Sequence, residues 1–272
     1  MSLAAKLPWT HRFAGGFPGL SSQPLPTDAD AVDYLTRMAA ADGAGVEVSV
    51  AVAVDAFVRD LKATPGLFDA IKASCILCGA RTITGALVPL AGDAPTSNGF
   101  VSGDYSRTNG ITGDGSSYLD SNYAYPTVLQ NDCHVAAWVS GLPTSGVLAG
   151  YGDIIGSGTL ISLAACRMYN NGGDTFLPSN TTASGLRAAS RSDSSSFVYR
   201  RNETNETATI ASTSVTHLDL AVFARQRHTL TPDNITDAAI GFYSIGTDIG
   251  SAGLAALDTA VTNLITAIGE AL

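Results

Sequence analysis

Chemistry is densest in "NGITGDGSSYLDSNY", residues 109–123, where Asp114, Tyr118, Asp120 and Asn122 crowd around glycines. Carboxylate and amide oxygens at such spacing can hold a hard cation, and calcium is the cofactor this cluster could take. The same groups suit a sugar: a tyrosine ring stacks on its apolar face while Asp and Asn bond its hydroxyls. Tyr123 and Tyr125 extend the aromatic supply. A second cluster lies in "RMYNNGGDTF", residues 167–176, which offers Tyr169, Asn170, Asn171 and Asp174 in a glycine-rich loop between strands. Of the two, this reads more as a ligand loop. Both have a plainer reading, because "GDGS" and "NNGG" are turn sequences in their own right.

Other chemistry is sparse. Cys75-Ile-Leu-Cys78 would read as half a zinc site if a second pair accompanied it. Cys133 and Cys166 stand alone, however, and His11, His134, His217 and His228 are scattered. A redox pair belongs at the start of a helix, where the thiolate is stabilised. This pair is expected at a helix end, with Cys75 on the apolar face four residues after Ile71. Buried, unliganded thiols are the expectation, and no metal. A glycosidase needs two carboxylates flanking the scissile bond. Glu47, Glu203, Glu206 and Glu270 form no such pattern, which leaves only Asp pairs from separate strands. No G-x-S-x-G elbow or phosphate-binding lysine loop occurs. "GYGDIIG" at 150–156 reads as a turn between strands. A non-enzyme is expected.

Something must position these groups. The chain has 272 residues, 45% apolar and 14% charged, with 28 glycines. That length and composition suit one large or two small globular domains with many tight turns. The net charge is −9 with no Lys or Arg run, which argues against a nucleic-acid partner. The continuous apolar run "VSVAVAV" at 48–54 is too short to cross a bilayer, so no membrane partner is expected. The first residues, broken by Lys6, Pro8, His11 and Arg12, lack the apolar core of a signal peptide. The sequons at Asn180, Asn202, Asn205 and Asn234 are therefore read as coincidences of a Thr-rich chain.

Residues 1–26, rich in proline, predict an extended arm. A helix follows, with Thr27 as its cap, Asp28 and Asp30 at its positive end and Gly43 as its stop. A second fits Ser49 to Lys62, although "VEVSVAVAV" also alternates like a strand. A third is predicted from Thr64-Pro65 and carries Leu67, Phe68, Ile71 and Cys75. After Gly79 short apolar runs alternate with Gly, Ser, Asn and Asp clusters, from "GALVPL" through "CHVAAWVS" to "AIGFYSIG". Many short strands of this kind predict an antiparallel sandwich or barrel. Leu254, Leu257, Val261, Leu264, Ile265 and Ile268 then form one face of a terminal helix.

The order of three segments adds a family resemblance. "AVDAFVRDLKATPGLFDAIKA" (53–73) leads into "ALVPLAGDAPTSNGFVSGDYSRTNGITGDGSSYLDSNY", and "GFYSIGTDIGSAGLAALDTAVTNLI" closes the chain. Over roughly residues 53–270 this resembles bacteriophage structural proteins with a concanavalin A-like (laminin G-like) lectin domain. The resemblance implies a mainly β fold, a jelly-roll antiparallel β-sandwich, with "GDGSSYLD" as an early strand. It implies a place on the virion, assembled in the host cytoplasm, and no reaction. Residues 1–80 are then expected to be an arm and helical anchoring segment, and 81–272 the lectin-like sandwich with its terminal helix. Expected partners are other virion proteins through the arm, sister copies in a homo-oligomer, and surface carbohydrate. Packing of the arm and helices back on the sandwich is the alternative. A receptor-binding tail protein is the second functional reading and a polysaccharide hydrolase the third.

Overall fold

A computed structural model describes residues 25–124, 130–152, 159–162, 167–170, 175–176, 184–201, 203–213, 219–227 and 231–272. Nearly all of the expected arm, together with Tyr125, Cys166, Asn171, Asp174, His217 and His228, lies outside them.

Helix α1 (Ala29–Asp42) is capped by Asp28 rather than Thr27: the Asp28 carboxylate accepts the N–H groups of Asp30 and Ala31. The N–H of Thr27 donates instead to Asp55 on the next helix, at 2.8 Å. Gly43 ends α1 in the left-handed region at φ 64°, which glycine adopts without a Cβ penalty. Helix α2 (Val48–Ala63) resolves the alternating "VEVSVAVAV" as helix, with Val50, Val54, Phe57, Val58 and Leu61 buried. The predicted third helix is a single turn, α3 (Leu67–Ala70). From Ile71 the chain is strand β1 (Ile71–Ile76), not helix. Cross-strand pairing outweighs the local cap signal here, because both edges of β1 are taken by partner strands. Cys75 therefore sits in a sheet. "GALVPL" likewise divides into a short helix, α4 (Ile83–Ala86), and a strand, β2 (Pro89–Ala91).

Two sheets form among the described residues, and all their pairings but one are antiparallel. The nine-stranded sheet runs β14 (Thr204–Ala208), β13 (Phe197–Arg201), β12 (Gly185–Arg191), β7 (Cys133–Gly141), β17 (Ala239–Gly246), β1 and β2. Beyond β1, β17 also pairs with β5 (Gly110–Thr112), which carries β4 (Tyr105–Ser106). The eight-stranded sheet runs β11 (Thr175–Phe176), β10 (Arg167–Asn170), β9 (Thr159–Ser162), β8 (Ala149–Tyr151), β15 (Asp219–Val222), β6 (Tyr118–Ala124) and β3 (Thr96–Asn98). The short β16 (Arg225–Gln226) lies parallel to β8. Strand β12, "GLRAASR", has no alternating apolar face and went unread in the sequence. The protein is mainly β and ends in the long helix α5 (Gly250–Ala271).

The nine-stranded sheet has a core on each face. Alternation along β7 sends Val135, Ala137 and Val139 toward the other sheet, where they meet Leu119, Leu148 and Val222. Ala136 on β7 and Phe242 on β17 face the helices and meet Phe57, Leu61, Leu257 and Val261. Phe57 and Phe242 pack edge to face with centroids 5.6 Å apart, a contact worth about 1 kcal/mol beyond the area it buries. The order is thus helices, sheet, sheet. Helix α5 is long and apolar enough to cross a bilayer by length and composition alone. Its apolar face is used against the nine-stranded sheet, and its Asp258 is ion-paired with Arg200 of β13. The expected division near residue 80 falls between β1 and β2, which pair with each other.

Candidate functional site

The helices cover one outer face of the two sheets. The other outer face belongs to the eight-stranded sheet, and its register decides which candidate residues lie there. Leu119 on β6 stands opposite Val222, Val222 opposite Ala149, and Ala149 opposite Ile161. Leu119, Val222 and Ala149 belong to the inter-sheet core. The next residue on each strand takes the other side of the backbone, and these residues form a second register row. That row is Thr96, Asp120, Ala221, Gly150, Leu160 and Tyr169. Two clusters far apart in sequence thus fall on one line across one sheet. Four strand spacings separate Asp120 from Tyr169, about 19 Å. Ala221 and Gly150 lie between them and are both buried.

At the β6 end, Tyr118 and Asp120 are half-buried and Asn122 is exposed. Asn122 has φ 54°, a left-handed conformation that Asn tolerates better than most residues. Its N–H donates to Asp120 Oδ1 at 3.0 Å, and its Nδ2 donates to the Ala94 carbonyl and to Thr96 Oγ1. Asn122 is therefore partly occupied in holding β3 against β6. Asp219, which no sequence pattern marked, sits one bulge along β15 from Ala221. Burial raises its carboxyl above the ordinary range, and the charge of Asp120 adds to the effect. Among the described residues these two aspartates form an acidic pair on adjacent strands.

Asp114 does not join this row. Its carboxylate accepts the N–H groups of Ser116 and Ser117 and the Ser116 hydroxyl, bonds that hold it at about 2. Gly115 follows at φ 78°. "GDGSS" is a turn that starts β6, and the oxygens a cation would use are engaged locally. Tyr169 and Asn170 lie in β10 rather than in a loop, a correction that follows from pairing with β9 along the whole strand.

The CxxC pair is divided by the sheet. Cys75 packs in the inter-sheet core, and Cys78, two residues past the end of β1, packs in the helical core. Burial pushes both thiols up to about 12, far from a reactive thiolate. Among the described residues no three His, Cys, Asp or Glu side chains gather as a metal site. The glutamates are structural where they are bonded: Glu47 pairs with Arg81 and Arg107, and Glu206 with Arg201. Asn205 donates to the backbone and hydroxyl of Ser251, so its sequon nitrogen is engaged.

Sequence reading missed three further groups. Arg187 and Arg191 on β12 share the inter-sheet side with Ala189 and are buried. Arg191 donates to the carbonyls of Asp193, Ser196 and Ile210. The third is His134, whose Nε2 lies 2.6 Å from Ser244 Oγ. That pair has the contact of a nucleophile and its base, but both residues are fully buried beneath the helices.

No protein-family model matches the chain, and no curated protein matches it. Among solved structures it is similar to domain 4 of AbnA, a GH43 extracellular arabinanase from Geobacillus stearothermophilus, in complex with arabinotriose. Identity is 13%, 62% of this chain and 82% of that one are covered, and the TM-score of 0.32 is too low to carry any inference about ligand or role.

Proposed function

We propose that this protein is a non-enzymatic, lectin-like structural component of a bacteriophage particle. In this reading its two sheets form a concanavalin A-like jelly roll, and the outer face of the eight-stranded sheet adheres weakly to surface carbohydrate. One observation carries the adhesion: the register brings Asp120 and Tyr169, from two separate sequence clusters, into one row across the eight-stranded sheet. On β6 the half-buried Tyr118 and Asp120 and the exposed Asn122 supply a ring and polar groups within one strand, the elements of a sugar-binding surface. The place on a virion rests on the resemblance of the segments at 53–73, 86–123 and 241–265 alone. Copies assembled on a particle would make a weak site effective, because avidity multiplies modest affinities.

Retention of the full chain, clustered on beads, by host surface polysaccharide tests the adhesion. Clear retention that free polysaccharide competes away is expected, and none at any density would overturn it. Immunogold labelling of intact particles tests the location. Many copies over the shell mean decoration, and a few at the tail mean a receptor-binding role, the second reading. The electrostatic coupling of Asp219 to Asp120 keeps a hydrolase as the third reading. Release of reducing sugar, lost in Asp219→Asn, would establish it.

A further inference from the structure

Four buried polar side chains cross the nine-stranded sheet beneath its helices. They are Ser190 on β12, His134 on β7, Ser244 on β17 and Ser74 on β1, four successive strands. Each is at most 1% exposed. Their chain neighbours Ala189, Cys133, Val135, Tyr243, Ile245, Ala73 and Cys75 face the inter-sheet core, so these four face the helical layer. An apolar cluster makes up most of the rest of that layer, with the Arg200–Asp258 pair at its β13 side.

His134 is the centre of this seam. Its Nδ1 lies 2.6 Å from the Thr247 carbonyl, which only accepts, so Nδ1 carries the hydrogen. Nε2 is then an acceptor, and the Ser244 hydroxyl donates to it at 2.6 Å. Thr247 leads into the start of α5 and also donates its N–H to the carbonyl of Ala70 on α3. The next residue, Asp248, donates its N–H to Asp132 and accepts from the Ser190 hydroxyl at 2.6 Å. Ser190 in turn accepts the N–H groups of Ile249 and Gly250, where α5 begins. Gly246 lets the backbones close: a Cβ there would stand 1.9 Å from the Ala70 carbonyl oxygen and 3.0 Å from the His134 ring.

We propose that His134 is an acid-operated latch that fastens the start of α5 to the nine-stranded sheet. A second proton on the ring puts a full charge into the seam and forces Ser244 to turn from donor to acceptor. Ser74, the register partner of Ser244, has a buried hydroxyl with no partner and can take the displaced hydrogen, but it cannot balance a charge. The charged groups near the ring are Asp248 in the loop and Asp132 just before β7. Among the described residues the ring bonds the Ser244 hydroxyl and the Thr247 carbonyl, and Ser190 stands opposite His134 in the register of β12. Both carboxylates lie toward the loop, Asp132 on the solvent side, so an imidazolium gains most by moving with Thr247 away from the sheet. Burial holds the ring's proton affinity down to about 4, so the latch is closed at neutral pH.

Amide hydrogen exchange of the full chain at pH 7.5 and pH 4, corrected for intrinsic rates, tests this. Protection over residues 247–254 should fall at least tenfold at pH 4 while α2 keeps its own. Unchanged protection, or an equal loss in α2, would overturn the latch. His134→Gln, which retains a donor and an acceptor but does not titrate, should abolish the difference; a difference that persists would sink the idea. If that variant fails to fold, the wild-type ring titration by NMR decides. It must coincide with the exchange change, and a mismatch excludes His134 as the trigger.

Discussion

Arg200 on β13 and Asp258 on α5 meet at 2.7 Å with both side chains nearly buried, so the last helix is tied to the sheet by a charge pair inside an apolar interface. Arg200 also donates to Asn205, which bonds Ser251 at the first turn of α5. Removing one partner strands the other charge. Asp258→Ala is expected to cost about 3–5 kcal/mol, read from urea unfolding. Replacing both residues by apolar ones, Arg200→Met with Asp258→Leu, should recover most of it. A single variant as stable as wild type would show that water reaches the pair.

Asp219 gives a pH signature of its own. Its folded-state carboxyl titrates above the ordinary aspartate value, from burial and then from Asp120. The folded protein therefore holds that proton more tightly than the unfolded chain does. Its contribution is fully present below the unfolded pKa of about 3.9 and is lost as pH rises through the raised value. Asp219→Asn should thus raise the melting temperature at pH 7 and do little at pH 3. Asp120→Asn should return the Asp219 titration toward its usual range, followed by carboxyl NMR.

The thiols of Cys75 and Cys78 should be inert in the folded state. Both are buried and pushed up to about 12, and they pack in different cores. Labelling by a thiol reagent at pH 8 is expected to occur at the rate of unfolding rather than at that of a free thiol. One bound equivalent of zinc in the purified protein would contradict the divided arrangement.

The two sequence clusters predict which substitutions weaken polysaccharide retention. Tyr118→Ala and Tyr169→Ala should each reduce it several-fold, in line with about 0.5–1.5 kcal/mol for an aromatic platform. Asn122→Ala should act differently. It removes bonds to Ala94 and Thr96 and should loosen β3, seen as a lowered melting temperature along with weaker retention. Asp114→Ala should leave retention intact, since that carboxylate is committed to its own turn.

Local features of this chain were legible from the sequence because they depend on backbone geometry alone. The apolar face from Leu254 to Ile268 repeats at helical spacing, and α5 forms there. Gly113-Asp114-Gly115 reads as a turn, and Leu119 alternates inward between Tyr118 and Asp120. The stretch from Thr64 to Ile76 was misread because its cap and periodicity favour helix, while β17 and β2 draw Ile71–Ile76 into a sheet.

What joins distant residues was decided by tertiary structure alone. His134 and Ser244 are 110 residues apart in the chain and share one hydrogen bond. Asp120 and Tyr169 stand in one row only because β15, β8 and β9 lie between their strands in a fixed register. Periodicity tells each residue which side of its own strand it takes. Neighbour and register are set by the burial of two cores at once, a condition that no local stretch of sequence contains.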